Sequence, residues 1–135
     1  RRTVIVTGDG AHQLTANELG NFYRHGAKPI MFVVNNSGYS IERVLEEYPD
    51  YEYNDLAVWE YHKLPAALGC KDWFTAKVTT LGELDAAMAT ASEADMACYI
   101  EICMDKHDYP AAAKGMGPRW EQLYGVAEQP GQPPE

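Results

Sequence analysis

Basic residues are scarce. Lys and Arg number 11 against 20 Asp and Glu in 135 residues, a formal net charge of −9, and the few that occur are scattered. Nucleic-acid phosphates are bound by clustered Lys and Arg, so the composition argues against a nucleic-acid partner. An anionic ligand would have to be held by backbone N–H groups, a helix N-terminus or a bound cation. Cysteine is also scarce. Cys70, Cys98 and Cys103 form neither an even disulfide set nor a CxxC pair, which favours reduced thiols in an intracellular compartment. No apolar stretch is long enough to cross a bilayer, and the N-terminus lacks the basic-then-apolar order of a signal peptide. The expectation is a cytoplasmic protein with no membrane partner. A starting Met is missing too: Arg1-Arg2 runs straight into Val4-Ile5-Val6 with no cap, which reads as a chain cut from something longer. A Walker loop is absent, and the turn at Gly8 lacks the third glycine of a GxGxxG dinucleotide site.

What is present suits a globular domain. Hydrophobic residues make up 46% and charged residues 23%, ordinary values for a chain that buries a core. Its length suits one domain and not two. Val4–Val6 is a β-branched run ended by Gly8 and reads as a strand buried on both faces. Thr15 stands three residues before Glu18, the spacing of a capping box, and Leu19, Phe22 and Tyr23 recur at helical intervals until Gly26. This predicts one helix over about 15–25. A second apolar run, Ile30–Val34, completes a strand–helix–strand unit, which implies parallel strands. Trp73–Val78 and Cys98–Cys103 read as further strands around a helix opened by a Thr80–Glu83 box and striped by Leu84, Ala87, Met88 and Ala91. The alternation predicts an α/β fold with an open, mostly parallel sheet and helices on both faces. Residues 1–125 are expected to be one domain, incomplete at its start. Within it, a short helix and an aromatic loop (Tyr48, Tyr51, Tyr53, Trp59, Tyr61) follow Glu42, and 118–124 form a last helix. Residues 126–135 are expected to be a disordered tail.

The chemistry concentrates at two strand ends. Ligands of open parallel sheets bind beyond the carboxyl ends of the strands, where Gly8-Asp9-Gly10 and Asn35-Asn36 both fall. Either motif alone is a common turn. Together, at adjacent strand ends, they point to a clamp for a Mg²⁺-chelated diphosphate. Asp9 and an Asn supply hard oxygens, a carbonyl near Gly38 could add another, and glycine lets the backbone approach a ligand closely.

With these residues in hand, the sequence resembles thiamine-diphosphate-dependent enzymes, whose diphosphate-binding domain carries GDG followed one helix and one strand later by NN. Gly8-Asp9-Gly10-Ala11-His12-Gln13-Leu14-Thr15 and Asn35-Asn36-Ser37-Gly38-Tyr39-Ser40-Ile41-Glu42 look like the 2-oxo-acid decarboxylases related to pyruvate decarboxylase. Tyr53-Asn54-Asp55, Trp59 and Leu64–Leu68 lean toward members acting on indolepyruvate, phenylpyruvate or branched-chain acids. The likeness spans about Thr3 to Tyr109. It implies Mg²⁺ ligation by Asp9, Asn36 and the Gly38 carbonyl. It also implies cofactor contacts from Gly8, Gly10, Ala11, His12, Tyr39, Ser40 and Ile41, with Glu42 facing the thiazolium. His12 departs from the small or aromatic residue of the pattern.

From spacing alone Glu42 reads as a solvated helix-end carboxylate beside Arg43; the resemblance reverses that. A carboxyl against an apolar, partly dehydrated cofactor has its charged form disfavoured and can act as an acid. The expected reaction converts a 2-oxo acid to an aldehyde and CO₂. Alternatives are a carboligase of acetohydroxyacid synthase type and a non-catalytic cofactor-binding domain. The resemblance further implies a pyrimidine-binding domain from the same or a second subunit and a homodimer or homotetramer, so that these residues alone are expected to be inactive. His25 and His62 read as capping and packing groups, and His107 as a possible border of a substrate entrance.

Overall fold

The computed structural model describes residues 1–46 and 48–117. The expected helix over 118–124 and the tail at 126–135 lie outside them. Four strands form one all-parallel sheet: β1 (Val4–Gly8), β2 (Ile30–Asn35), β3 (Phe74–Val78) and β4 (Cys98–Cys103), in the order β1-β2-β4-β3. Helices α1 (Asp9–Thr15) and α2 (Glu18–Arg24) connect β1 to β2. Helices α3 (Ser40–Leu45) and α4 (Leu64–Ala67), with 3₁₀ turns at Glu52–Asn54 and Tyr61–Lys63, lead to β3, and α5 (Leu81–Glu93) leads to β4.

Strand alternation sorts the side chains into two cores. Met31, Val33 and Tyr99 pack against Leu19, Tyr61 and Cys70 on the side of α2, while Cys98 and Ile100 pack against Val78, Ala87 and Ala91 on the side of α5. The central strands β2 and β4 are covered on both faces, which is why Ile30–Val34 reads as a continuous apolar run and β4 is apolar apart from Glu101. β1 departs from its sequence reading. Among the described strands it lies at the sheet edge: Ile5 joins the first core, but Val4 and Val6 are 58% and 68% exposed, while α5 packs on β3 and β4.

The segment predicted as one helix over 15–25 is two. Helicity begins at Asp9, so Thr15 closes α1 instead of opening a helix, and it cannot adopt the extended backbone a capping box needs. Asn17, the residue before α2, is itself helical (φ −59°, ψ −23°) and makes no side-chain cap bond. The C-terminal stop is as expected: Gly26 takes φ +66° and its N–H donates to the Tyr23 carbonyl. The Thr80–Glu83 box is present in both directions. Thr80 Oγ1 accepts from Glu83 N–H at 3.2 Å, and Glu83 Oε2 accepts from Thr80 N–H at 3.1 Å.

Candidate functional site

Gly8 pairs with Val34 in register, so the residues that follow β1 and β2 leave the sheet side by side. Asp9 is the first residue of α1 and is 2% exposed. Gly8 sits at φ −80°, so the chain passes from strand to helix there without a left-handed turn. Asp9 Oδ1 accepts the Gly10 N–H at 2.8 Å, and Oδ2 accepts the Gly38 N–H from the other loop at 3.1 Å. Left-handed backbone at Ser37 (φ 61°) and Gly38 (φ 151°) folds the second loop back onto Asp9. Burial pushes the Asp9 carboxyl above its ordinary pKa, against the lowering effect of the Gly10, Gly38, Ser37 and Asn36 amides. A cation beside it would oppose that effect of burial.

Three oxygens meet at this point. The Asn36 side-chain oxygen stands 3.3 Å from Asp9 Oδ1 and 3.0 Å from the Gly38 carbonyl, while its nitrogen donates to Ser40 Oγ at 2.6 Å. Oxygens crowded together without a donor repel. Exchanging the amide nitrogen and oxygen would let Asn36 donate to both and accept from Ser40. A bound cation would satisfy the orientation as it stands. Ligands at the 2.0–2.1 Å distances of Mg²⁺ sit about 2.9 Å apart on adjacent octahedral corners, close to the spacing here. Among the described residues no cluster of three or more His, Cys, Asp or Glu could hold a metal; the groups gathered here are one carboxylate, one amide and one carbonyl.

The flanking residues line the same rim. Gly10 is packed so closely that a Cβ there would lie 2.5 Å from Tyr39 Cε1. Tyr39 and Ile41 are partly exposed, Ala11 and Glu42 are exposed, and Ser40 begins α3 with its hydroxyl on Asn36. Glu42 stands in the first turn of α3. The His12 side chain points elsewhere. It is buried between Tyr61 and Tyr99, and its Nε2 shares a 2.8 Å hydrogen bond with the Tyr99 hydroxyl. Burial pushes the His12 pKa down, which favours the neutral ring.

Two buried charges were not legible in the sequence. Arg43, adjacent to Glu42, is turned into the protein. It meets Asp55 at 2.6 Å and donates to the carbonyls of Pro49, Asn54 and Ser37, bracing the Ser37–Gly38 turn from behind. Glu101, inside β4, accepts from Asn35 Nδ2 at 2.8 Å and the His62 N–H at 3.0 Å, with His62 Nδ1 at 2.6 Å. Burial alone would raise its pKa, but the His62 and Asn35 bonds together hold the carboxyl below its ordinary range. His62 is therefore more than packing. His107 lies 3.2 Å from Asp50, which also pairs with Lys106, tying the aromatic loop to the segment after β4. The expected aromatic cluster divides. Tyr51 stacks on Tyr53 with Tyr48 at its edge at the surface, whereas Trp59 and Tyr61 pack inward.

Fold and rim together define an open α/β domain with a candidate ligand site at the carboxyl edge of its first two strands. The family described as "Thiamine pyrophosphate enzyme, C-terminal TPP binding domain" matches residues 1–102, and the chain belongs to it. An "Alpha-keto-acid decarboxylase" of Mycobacterium leprae (strain TN) is 45% identical over 112 residues, covering 82% of this chain and 20% of that protein. One from Mycobacterium avium (strain 104) is 42% identical over 113 residues with the same coverage. A crystal structure of benzoylformate decarboxylase from Polynucleobacter necessarius superimposes with a TM-score of 0.69 at 26% identity, over 82% of this chain and 21% of that one. The chain thus spans about a fifth of the length of the relatives it matches.

Proposed function

We propose that the chain is the Mg²⁺- and diphosphate-binding domain of a non-oxidative 2-oxo-acid decarboxylase. What supports the metal reading is that Asp9 Oδ1 and the Gly38 carbonyl stand 3.3 and 3.0 Å from the same end of the Asn36 amide, with Asp9 buried. The names of the relatives support the reaction, and the likeness to a benzoylformate decarboxylase supports an aromatic 2-oxo acid. Thiamine diphosphate, when bound, supplies the electron sink that lets such an acid lose CO₂. Asp9, Asn36 and Gly38 would hold the metal that neutralises the diphosphate. Gly10 would let the chain approach closely, and Ala11, Tyr39, Ser40 and Ile41 would line the cofactor. Glu42, on the first turn of α3, would hold at its carboxyl the proton that the reaction needs. Much of the substrate pocket and the contacts to the pyrimidine ring come from outside these 135 residues, so the isolated chain is expected to be inactive.

The test uses the complete protein. Calorimetry with thiamine diphosphate should show binding that depends on Mg²⁺ and is lost on Asp9→Asn. Glu42→Gln should keep that binding and lose most turnover. Free aldehyde from an aromatic 2-oxo acid is the expected product. An acyloin or acetohydroxy acid would assign the protein to the carboligases, and binding indifferent to Mg²⁺ would remove the metal site.

A further inference from the structure

We propose that strand β4 sets the spacing between the two arms of the clamp: Tyr99 holds the Asp9 arm through His12, and Glu101 holds the Asn36–Gly38 arm through Asn35. The inference rests on the reading of Asp9, Asn36 and Gly38 as a Mg²⁺ site.

The two arms come from different strands and different loops. The β1–β2 ladder, the Gly38 N–H on Asp9 Oδ2 and the packing of Gly10 on Tyr39 join the arms directly, and a second set of bonds supports each arm from beneath. Beneath them, on the face of β4 that carries Tyr99, Glu101 and Cys103, two fully buried polar groups stand at alternate positions. Tyr99 reaches α1, where its hydroxyl meets His12 Nε2 at 2.8 Å, three residues beyond Asp9. Glu101 reaches the end of β2, where Asn35 donates to it at 2.8 Å, one residue before Asn36. Asn35 is fixed on its backbone as well, because its carbonyl accepts the Met104 N–H at 2.9 Å as β4 ends. The second Glu101 oxygen takes the His62 N–H and ring, so the carboxylate cannot follow Asn35 if that residue shifts.

Satisfying buried polar groups would by itself explain hydrogen bonds at these positions, but not why both lead to an arm of the same site. Mg²⁺ demands near-ideal octahedral geometry and short bonds, so an error of a few tenths of an ångström between arms costs affinity. Ca²⁺ accepts longer bonds and looser geometry. Tyr99 and Glu101 are accordingly positioning residues: they touch neither metal nor cofactor, and their effect is read in how strongly the site prefers Mg²⁺.

In the complete protein, Tyr99→Phe and Glu101→Gln are each compared with wild type. Thiamine diphosphate binding is followed by calorimetry across a Mg²⁺ series and again across a Ca²⁺ series, and thermal unfolding is measured without ligand. Each variant should need about 10- to 100-fold more Mg²⁺ for half-maximal cofactor binding, the usual cost of disturbing groups behind a metal ligand. The Ca²⁺ requirement should change less, so that metal preference narrows. Asn35→Ala removes the same link from a less buried position and should act like Glu101→Gln if that variant folds poorly. Variants that melt lower yet keep the wild-type Mg²⁺ requirement and metal preference would overturn the inference. A wild-type protein whose cofactor binding ignores Mg²⁺, or is unaffected by Asp9→Asn, would instead overturn the metal site itself.

Discussion

Replacing Gly38 by Ala would strike the turn that presents the third oxygen of the site. At φ +151° Gly38 occupies backbone space that L side chains rarely enter. A Cβ there would lie 2.0 Å from the Asn54 carbonyl oxygen, 3.1 Å from its carbon and 2.6 Å from Arg43 Nη2. The first two are backbone atoms and cannot swing aside. The same carbonyl accepts the Tyr39 N–H at 3.0 Å and Arg43 Nη2 at 3.0 Å, so relieving the overlap breaks bonds that hold the loop closed. Left-handed backbone costs a non-glycine residue about 1–2 kcal/mol, and overpacking about 1–3 kcal/mol. The expected loss is therefore about 2–5 kcal/mol, carried by the loop that bears the Gly38 carbonyl. Urea unfolding of the complete protein reports the stability, and calorimetry reports Mg²⁺-dependent cofactor binding. Gly82→Ala is the control: it lies in the first turn of α5 with nothing within 4 Å of its added methyl, and should gain up to about 1 kcal/mol. A Gly38→Ala protein with wild-type stability and cofactor affinity would refute the reasoning.

Three further outcomes follow from groups already described. Arg43→Lys keeps the charge but loses the planar fork that reaches Asp55 and three carbonyls, and should cost about 1–3 kcal/mol in denaturant titrations for the buried carbonyls left without a donor. Thr80→Ala should cost about 0.5–2 kcal/mol and speed amide exchange in the first turn of α5, leaving cofactor affinity unchanged. Glu101 has a folded-state pKa below its unfolded value, so its stabilising contribution is full above the unfolded carboxyl pKa and is lost as pH falls through the folded one. Acid unfolding of Glu101→Gln should therefore show a shallower loss of stability below about pH 4.5 than wild type.

What the sequence disclosed was local or periodic. Gly8–Gly10 and Asn35–Gly38 could be read because turn chemistry and strand ends leave marks within a few residues, and parallel topology then places the two ends together. The Thr80–Glu83 box was legible and present; the equally spaced Thr15–Glu18 pair was not a box, because helicity had already begun at Asp9. The exposure of Val4 and Val6 depends on which strand takes the sheet edge, and a β-branched run carries no mark of that. Arg43 and Glu101 were hidden for a related reason. Their partners Asp55, Asn35 and His62 lie 12, 66 and 39 residues away, beyond the reach of any local pattern. His12 read as a departure from the small or aromatic residue of the family pattern, and its role was hidden because its partner, Tyr99, is 87 residues on.

The strand order has a consequence for assembly during synthesis. Of the four described strands β4 is the last to leave the ribosome, yet it fills the gap between β2 and β3. Until residues 98–103 emerge, the apolar run Ile30–Val34 presents an unpaired edge and β3 has no neighbour in the sheet. Open apolar edges invite pairing with other chains. The nascent domain is thus most vulnerable over the roughly 60 residues translated between Asn35 and Cys98. Arrival of β4 closes that interval and, in the same event, brings in Glu101 for Asn35 and Tyr99 for His12.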